Sequence, residues 1–218
     1  MTTTQTIEKV IPSPLERGLE NISYSLVPLV PLAVKPNHIT WIGFGASAFA
    51  ALSFYLASFN HIWLLVAVVA IVAHLILDAL DGAVARQRNQ TSKAGFFLDL
   101  FLDCLAFVLI PVGIYFSSFA PLNIVAANAI TYPLHSMLLL HWVHLRNKWI
   151  FPIIGPCEAH LGYIAMAILT FFWKGDVLTV WHYTFDWFDL IALVVTPLVL
   201  LEIFISAFKL LKELEASQ

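Results

Sequence analysis

A chain of 218 residues that is 60% hydrophobic and only 11% charged, with a mean hydropathy of +0.85, falls outside the composition of soluble globular domains. The formal net charge of -3 offers no basic surface for nucleic acid, and two cysteines, Cys104 and Cys157, build no disulfide framework. Nucleic-acid-binding proteins and disulfide-stapled secreted domains are therefore excluded, and the composition is that of a single-domain integral membrane protein.

Residues 1 to 11 are polar, are expected to be frayed, and carry no pattern of a secretory signal peptide. Leu15, Leu19, Ile22 and Leu26 then recur at helical spacing, with Glu16, Arg17, Glu20 and Asn21 on other faces. That pattern predicts an amphipathic helix lying on the membrane surface. Pro31 breaks the apolar run from Leu26 to Val34 before it can span. Six spans follow, near 39–58, 61–83, 94–117, 121–143, 156–173 and 187–208, each close to the roughly 20 apolar residues a bilayer requires. The expected fold is all-α: a cytoplasmic leader and amphipathic helix over 1–35, a six-helix transmembrane bundle over 36–212, and a short tail over 213–218.

Short loops set the orientation through their lysines and arginines. With six spans, Lys9, Arg17, Lys35, Arg86, Arg88, Lys93, Arg146, Lys148, Lys209 and Lys212 share one side, and of the 11 basic residues only Lys174 lies on the other. Both termini and the loop after the second span are thus expected in the cytoplasm. Trp41, Trp63, Trp142, Trp149 and Trp181 fall largely at span ends, as an aromatic belt would. His38, His61 and His182 read as interfacial.

The unusual feature is a set of acids where the chain otherwise looks like membrane. Asp78 and Asp81 close the second span, and Asp99 and Asp103 lie inside the third. Charge at membrane depth is costly and marks a partner or a function. Asp78 and Asp81 are helical i,i+3 neighbours and Asp99 and Asp103 are i,i+4, so each pair presents its carboxylates on one face. Two such helices packed together gather four anions, and an all-oxygen set selects a hard cation such as Mg2+, Mn2+ or Ca2+ over zinc. An ion-coupled transporter also fits intramembrane acids, but no inverted repeat supports it.

The acids sit in a longer string: Asp78, Asp81, Gly82, Ala85, Arg86, Gly95, Asp99 and Asp103. This resembles, without gap or substitution, the D-x2-D-G-x2-A-R-x8-G-x3-D-x3-D signature of the CDP-alcohol phosphotransferases, membrane enzymes of phospholipid synthesis. Six spans with cytoplasmic termini are also what the resemblance implies. It further implies transfer of a substituted phosphate from a CDP-alcohol, by default CDP-diacylglycerol, to a hydroxyl acceptor with release of CMP. Asp78, Asp81 and Asp99 become the principal ligands of two Mg2+ or Mn2+ ions. Asp103 lies close to the metals and is the candidate base. Gly82, Ala85 and Arg86 belong to the CDP site, and a homodimer is common in the family. Pro36-Asn37-His38-Ile39-Thr40 resembles the family's P-N-x-[IL]-T, which places Asn37 and Thr40 near the nucleotide; alone, the pair would also suit a helix cap.

Arg146 and Lys148 are candidates for holding a phosphorylated acceptor, although positive-inside loop charges explain them equally well. Gly155-Pro156-Cys157-Glu158 is similar to a G-P-x-E stretch of eukaryotic choline and ethanolamine phosphotransferases, which makes Glu158 a candidate acceptor residue. The D-H-G form those enzymes carry at the third aspartate is absent, since Leu98-Asp99-Leu100 stands there. A CDP-choline or CDP-ethanolamine donor with a lipid acceptor is the alternative enzyme, and an inactive scaffold the alternative without chemistry. His74 reads as a packed, interhelical hydrogen-bonding residue, and His135, His141 and His144 form no zinc-like pattern.

Overall fold

The computed structural model describes residues 8–10, 13–119, 124–150, 155–173, 175 and 177–216. In chain order the elements are β1 (Glu8–Val10), α1 (Pro14–Leu26), a 3-10 turn (Val27–Leu29), α2 (Pro36–Ala57), α3 (Ile62–Gln87), α4 (Lys93–Tyr115), α5 (Ile124–Arg146), β2 (Lys148–Ile150), α6 (Pro156–Phe172), β3 (Leu178–Val180), β4 (Tyr183–Phe185) and α7 (Trp187–Glu215). The six segments expected to span fall on the helices α2 to α7. Among the described residues, α2, α3, α4 and α7 are long and apolar enough to cross a membrane, and α6 is a shorter apolar helix. The chain is a multi-pass integral membrane protein.

The helix boundaries follow local chemistry. Pro36 sits in the first turn of α2, where its missing N–H costs nothing. Asn60 Oδ1 accepts from the Ile62 amide at 3.0 Å to open α3, and Ser92 Oγ accepts from the Gly95 amide at 2.9 Å to open α4. Asn89, at φ 54°, turns the chain between them. Asp186 caps α7 by accepting from the Asp189 amide at 3.0 Å. Pro28 and Pro31 together confine the segment after α1 to a 3-10 turn, and Arg88 donates to the carbonyls of Val30, Pro31 and Val34, tying that turn to the end of α3.

Residues 8–10 depart from the expectation of a frayed leader. They pair in parallel with 148–150, Lys9 opposite Trp149, because the chain leaving α5 offers unpaired backbone that a neighbouring strand satisfies. A second small pairing, β3 with β4, forms an antiparallel hairpin before α7, with Trp181 at φ 58° in its turn.

The main core lies where α2, α3, α4, α6 and α7 meet, around Phe54, Leu64, Ile71, Ile110, Met166 and Phe188. Ala50, Ala57, Ala67 and Ala70 keep the helix axes close, which is how apolar helices gain packing when lipid offers no hydrophobic drive. The tightest approach is at Gly113, where an added Cβ would stand 2.2 Å from Ala51 O and 2.7 Å from Ala51 Cα. Backbone there cannot yield as a side chain would, so Gly113→Ala is expected to cost about 3 kcal/mol or more, the upper range of overpacking. A thermal unfolding midpoint in detergent equal to that of the unsubstituted protein would show that α2 and α4 are not in this contact.

Outward, the helices expose Ile42, Phe49, Val69, Phe97, Phe204 and Phe208, the side chains a bilayer would cover. In α1 both sides are partly packed: Leu26 rests on the cluster of Val27, Ile39 and Leu80, and Leu19 and Glu20 are half-buried. Ser13 and Ser23 are buried and Glu16 is half-buried, whereas Leu15 and Ile22 point away from the protein.

Candidate active site

Three helix ends create the site. The last turns of α3 carry Asp78 and Asp81, the N-terminal half of α4 carries Asp99 and Asp103, and the first turns of α2 lie beside both. Gly43 permits the α2–α3 approach, since a Cβ there would stand 3.3 Å from Leu77 Cβ and 3.7 Å from the Asp78 nitrogen. Gly95 does the same between α4 and α2, with Asn37 Oδ1 at 3.3 Å from where its Cβ would be. The two motif fragments that contain Asn37 and Gly95 are therefore one surface.

One carboxylate oxygen from each of Asp78, Asp99 and Asp103 lies within 4.8 Å of the other two. Asp81 is outside that trio. It lies one turn on, 4% exposed, with the Thr40 side chain and the Gly82 amide against it. Asp81 Oδ2 and Asp99 Oδ1 are buried without a hydrogen-bond partner. Buried anions this close are unstable without compensation, and their all-oxygen donor set suits a hard divalent cation. The residues present fit a metal centre. Thr40, Gly43, His74, Asp78 and Asp103 line a small cavity beside it.

His74 behaves as expected from sequence: its Nδ1 lies 3.1 Å from Gly43 O, a hydrogen bond between α3 and α2. Arg86 does not rest on a motif aspartate. It donates through Nε to Tyr24 Oη at 2.8 Å, reaches Glu20 Oε1 at 3.4 Å, and lies 5.6 Å from the Tyr24 ring centre. Its guanidinium also covers Gly82, 3.1 Å from where a Cβ would be. Ala85 lies one helical turn beyond Asp81, on the same side of α3. The candidate nucleotide residues thus form a strip from Asn37 and Thr40 across Gly82 and Ala85 to Arg86.

The candidate acceptor residues are less clearly part of it. Glu158 accepts from the Gly155 amide at 2.9 Å, capping α6, and its other oxygen accepts from Ser13 Oγ at 2.5 Å. Glu16 lies beside it, accepting from the Cys157 amide at 3.4 Å. Burial pushes the Glu16 carboxyl above its ordinary range, against the lowering effect of its Cys157 contacts. Lys148 Nζ contacts both oxygens of Glu213 at 3.2 and 3.1 Å, and Arg146 Nε lies 3.7 Å from the same carboxylate.

Tyr132 contacts a motif carboxylate without any signal in the sequence, and His160, at the end of the stretch 155–160 expected to bear on acceptor choice, packs on His74. Tyr132 on α5 donates to Asp103 Oδ2 at 3.4 Å and stacks on Phe107 with ring centres 3.6 Å apart. His160 on α6 is 1% exposed and lies 5.0 Å, centre to centre, from His74. Only helix packing brings Tyr132 to Asp103, and no spacing rule along the chain would find it.

The profile of the CDP-alcohol phosphatidyltransferase family matches residues 33–203. Archaetidylinositol phosphate synthase of Pyrococcus horikoshii is 37% identical over 108 residues, 50% of this chain and 53% of that protein. CDP-diacylglycerol–serine O-phosphatidyltransferase of Helicobacter pylori is 39% identical over 90 residues, 39% of this chain and 34% of that protein. The chain thus aligns with about a third to a half of the length of these curated relatives. The fold is similar to the crystal structure of Mycobacterium tuberculosis phosphatidylinositol phosphate synthase with CDP-DAG bound, at TM-score 0.64 and 17% identity, over 88% of this chain and 92% of that one. The family profile runs from just before α2 into α7 and takes in all four aspartates, and the chain belongs to the CDP-alcohol phosphatidyltransferase family.

Proposed function

We propose that this protein transfers the phosphatidyl group of CDP-diacylglycerol to a hydroxyl acceptor and releases CMP. The single observation that carries the reading is the convergence of Asp78, Asp99 and Asp103 oxygens within 4.8 Å, with the buried Asp81 one turn away. In this reading the four aspartates hold two divalent ions, Mg2+ or Mn2+. Bound there, the ions supply Lewis-acid stabilisation to the diphosphate and the departing CMP.

The chain's own groups do the rest. Asn37 and Thr40 at the start of α2 orient the nucleotide, and the small residues Gly82 and Ala85 let it lie against α3. Arg86, whose Nε and Nη2 are held by Tyr24 and Glu20, offers its Nη1 over Gly82 to phosphate or cytosine. Asp103 holds the acceptor hydroxyl in line. The acceptor oxygen forms a bond to the distal phosphorus, the bond from that phosphorus to the CMP oxygen breaks, and CMP leaves with the electron pair. Asp103 takes the hydroxyl proton. A carboxylate is a weak base for an alcohol, so positioning is its larger contribution, with proton transfer late.

Six spans with the site and both termini in the cytoplasm complete the reading, supported by the distribution of basic residues. The outward face of Leu15 and Ile22 suits α1 to the membrane surface, with its acidic side over the site. Arg146, Lys148 and Glu158 remain acceptor-side candidates by position at the ends of α5 and α6, and a homodimer is the family's common assembly.

Purified protein stripped with EDTA is expected to release CMP from CDP-diacylglycerol only after Mg2+ or Mn2+ is restored, and faster with one acceptor than with others. CMP released from CDP-choline or CDP-ethanolamine with diacylglycerol, and not from CDP-diacylglycerol, would reverse the donor and acceptor assignments. No release from any donor would remove the enzymatic reading.

A further inference from the structure

Beside the carboxylates, ring side chains from three helices pack on one another. On α4, Phe107 lies one helical turn beyond Asp103, so the two project from the same side of that helix. The Tyr132 ring of α5 lies flat on Phe107, with ring centres 3.6 Å apart and planes 8° from parallel. From α6, His160 meets the Phe107 ring edge to face at 4.6 Å, and its own Nδ1 lies 2.8 Å from Pro156 O. Phe107 and His160 are both buried. With its ring held there, Tyr132 turns its hydroxyl to Asp103 Oδ2, to which it donates at 3.4 Å.

Asp103 needs such a support. The terminal torsion of an aspartate is broad, so its own rotamer preferences leave the plane of the carboxylate undetermined. One of its oxygens lies within 4.8 Å of an oxygen of Asp78 and of one of Asp99, and like charges at that range push it aside. Among the described residues no lysine or arginine pairs with Asp103, and Tyr132 is the only side-chain hydroxyl that donates to it. A neutral hydroxyl holds the carboxylate without adding a charge that would compete with a divalent ion. Carboxylates at metal centres are commonly held by partners of this kind.

We propose that Tyr132 is a positioning residue of the transfer reaction, holding the Asp103 carboxylate in the orientation that receives the acceptor hydroxyl. The inference rests on the transferase reading and adds a residue to that site. A hydrogen bond at Oδ2 leaves Oδ1 with its lone pairs available. The effect of Tyr132 therefore passes through Asp103, and its hydroxyl alone makes it, since a phenylalanine ring would stack on Phe107 in the same way. A displacement of about 1 Å at a reacting group costs on the order of a hundredfold in rate. Hydrogen-bonding partners of metal-ligating side chains are typically worth roughly tenfold to a hundredfold in activity.

The test uses the full-length protein in lipid nanodiscs with CDP-diacylglycerol and Mn2+, and as acceptor whichever of glycerol 3-phosphate, inositol 1-phosphate, inositol and serine releases CMP fastest. Tyr132→Phe is expected to lower kcat by roughly tenfold to a hundredfold, with the donor KM within about twofold and the Mn2+-induced rise in thermal midpoint unchanged. In the Asp103→Asn protein the same substitution should lower kcat by less than about twofold, because the group it positions is already gone. Losses that multiply in full would show the hydroxyl acting on substrate or metal directly and would overturn the inference, as would an unchanged kcat. A fall in kcat matched by loss of the Mn2+ response would make Tyr132 a support of the whole metal centre and would overturn it too. If Tyr132→Phe does not fold, Phe107→Leu decides: it keeps the hydroxyl and removes the stack, so kcat should fall by about threefold or more, and not in Asp103→Asn. No CMP from the unsubstituted protein with any acceptor would remove the transferase reading and the inference together. CMP release that Tyr132→Phe leaves intact would remove the inference alone.

Discussion

Asp81→Asn is expected to lower CMP release by about a thousandfold or more while raising the thermal midpoint of the metal-free protein. The two effects have one origin. Asp81 is buried, its Oδ2 has no hydrogen-bond partner, and it adds a fourth negative charge beside Asp78, Asp99 and Asp103. Asparagine keeps the shape and removes the charge, so the metal-free fold loses a like-charge repulsion and a desolvated anion. The same change removes an anionic ligand from a centre expected to contribute several kcal/mol to the reaction, and each 1.36 kcal/mol is about tenfold in rate. Mn2+ should accordingly raise the midpoint of the unsubstituted protein and raise that of Asp81→Asn much less. Because Asp81 stands apart from the trio that converges within 4.8 Å, it is also the most informative of the four. If Asp81→Asn keeps a tenth of the activity and responds to Mn2+ as before, the centre consists of the trio alone.

The parts of this site that the sequence reveals are those carried by one helix. Asp78 with Asp81, and Asp99 with Asp103, are placed by helical spacing, and the apolar lengths around them locate α2 to α7 to within a few residues, apart from the overrun of α7 to Glu215. What spacing cannot carry is contact between elements far apart in the chain. Arg86 finds Glu20 and Tyr24 on α1, Asp103 finds Tyr132 on α5, and Arg146 and Lys148 find Glu213 on α7. The strand of residues 8–10 is hidden for the same reason, since its partner at 148–150 follows four long helices. In α1 the apolar and polar faces are both evident from Leu15, Ile22, Glu16 and Glu20. How the faces are covered is not, because Leu15 and Ile22 point outward while Leu19, Leu26, Glu16 and Glu20 are all half-buried. Glu158 is a different case. An acid two residues after Gly155-Pro156 is a capping signal visible in the sequence, and the structure uses it as one.

Asp103→Asn is expected to separate chemistry from binding. Turnover should fall by about a hundredfold to ten-thousandfold, the usual contribution of a positioned acid or base, with the fall in kcat. Donor binding should persist within a few-fold, because in the proposed reading Asp78, Asp81 and Asp99 remain as metal ligands and Asn37, Thr40 and Arg86 as nucleotide contacts. Asparagine can still accept from Tyr132 Oη, so the α4–α5 contact survives and a change in stability is not the cause. The loss should also depend on the acceptor. A more acidic hydroxyl needs less help in giving up its proton, so a fluorinated analogue of the preferred acceptor should recover part of the lost rate in Asp103→Asn and gain little with the unsubstituted protein. Equal deficits for both acceptors would make Asp103 a metal ligand and positioning group without a role in proton transfer. Near-normal activity would move the base to another side chain, and Tyr132, already in contact with Asp103, would be the next to substitute.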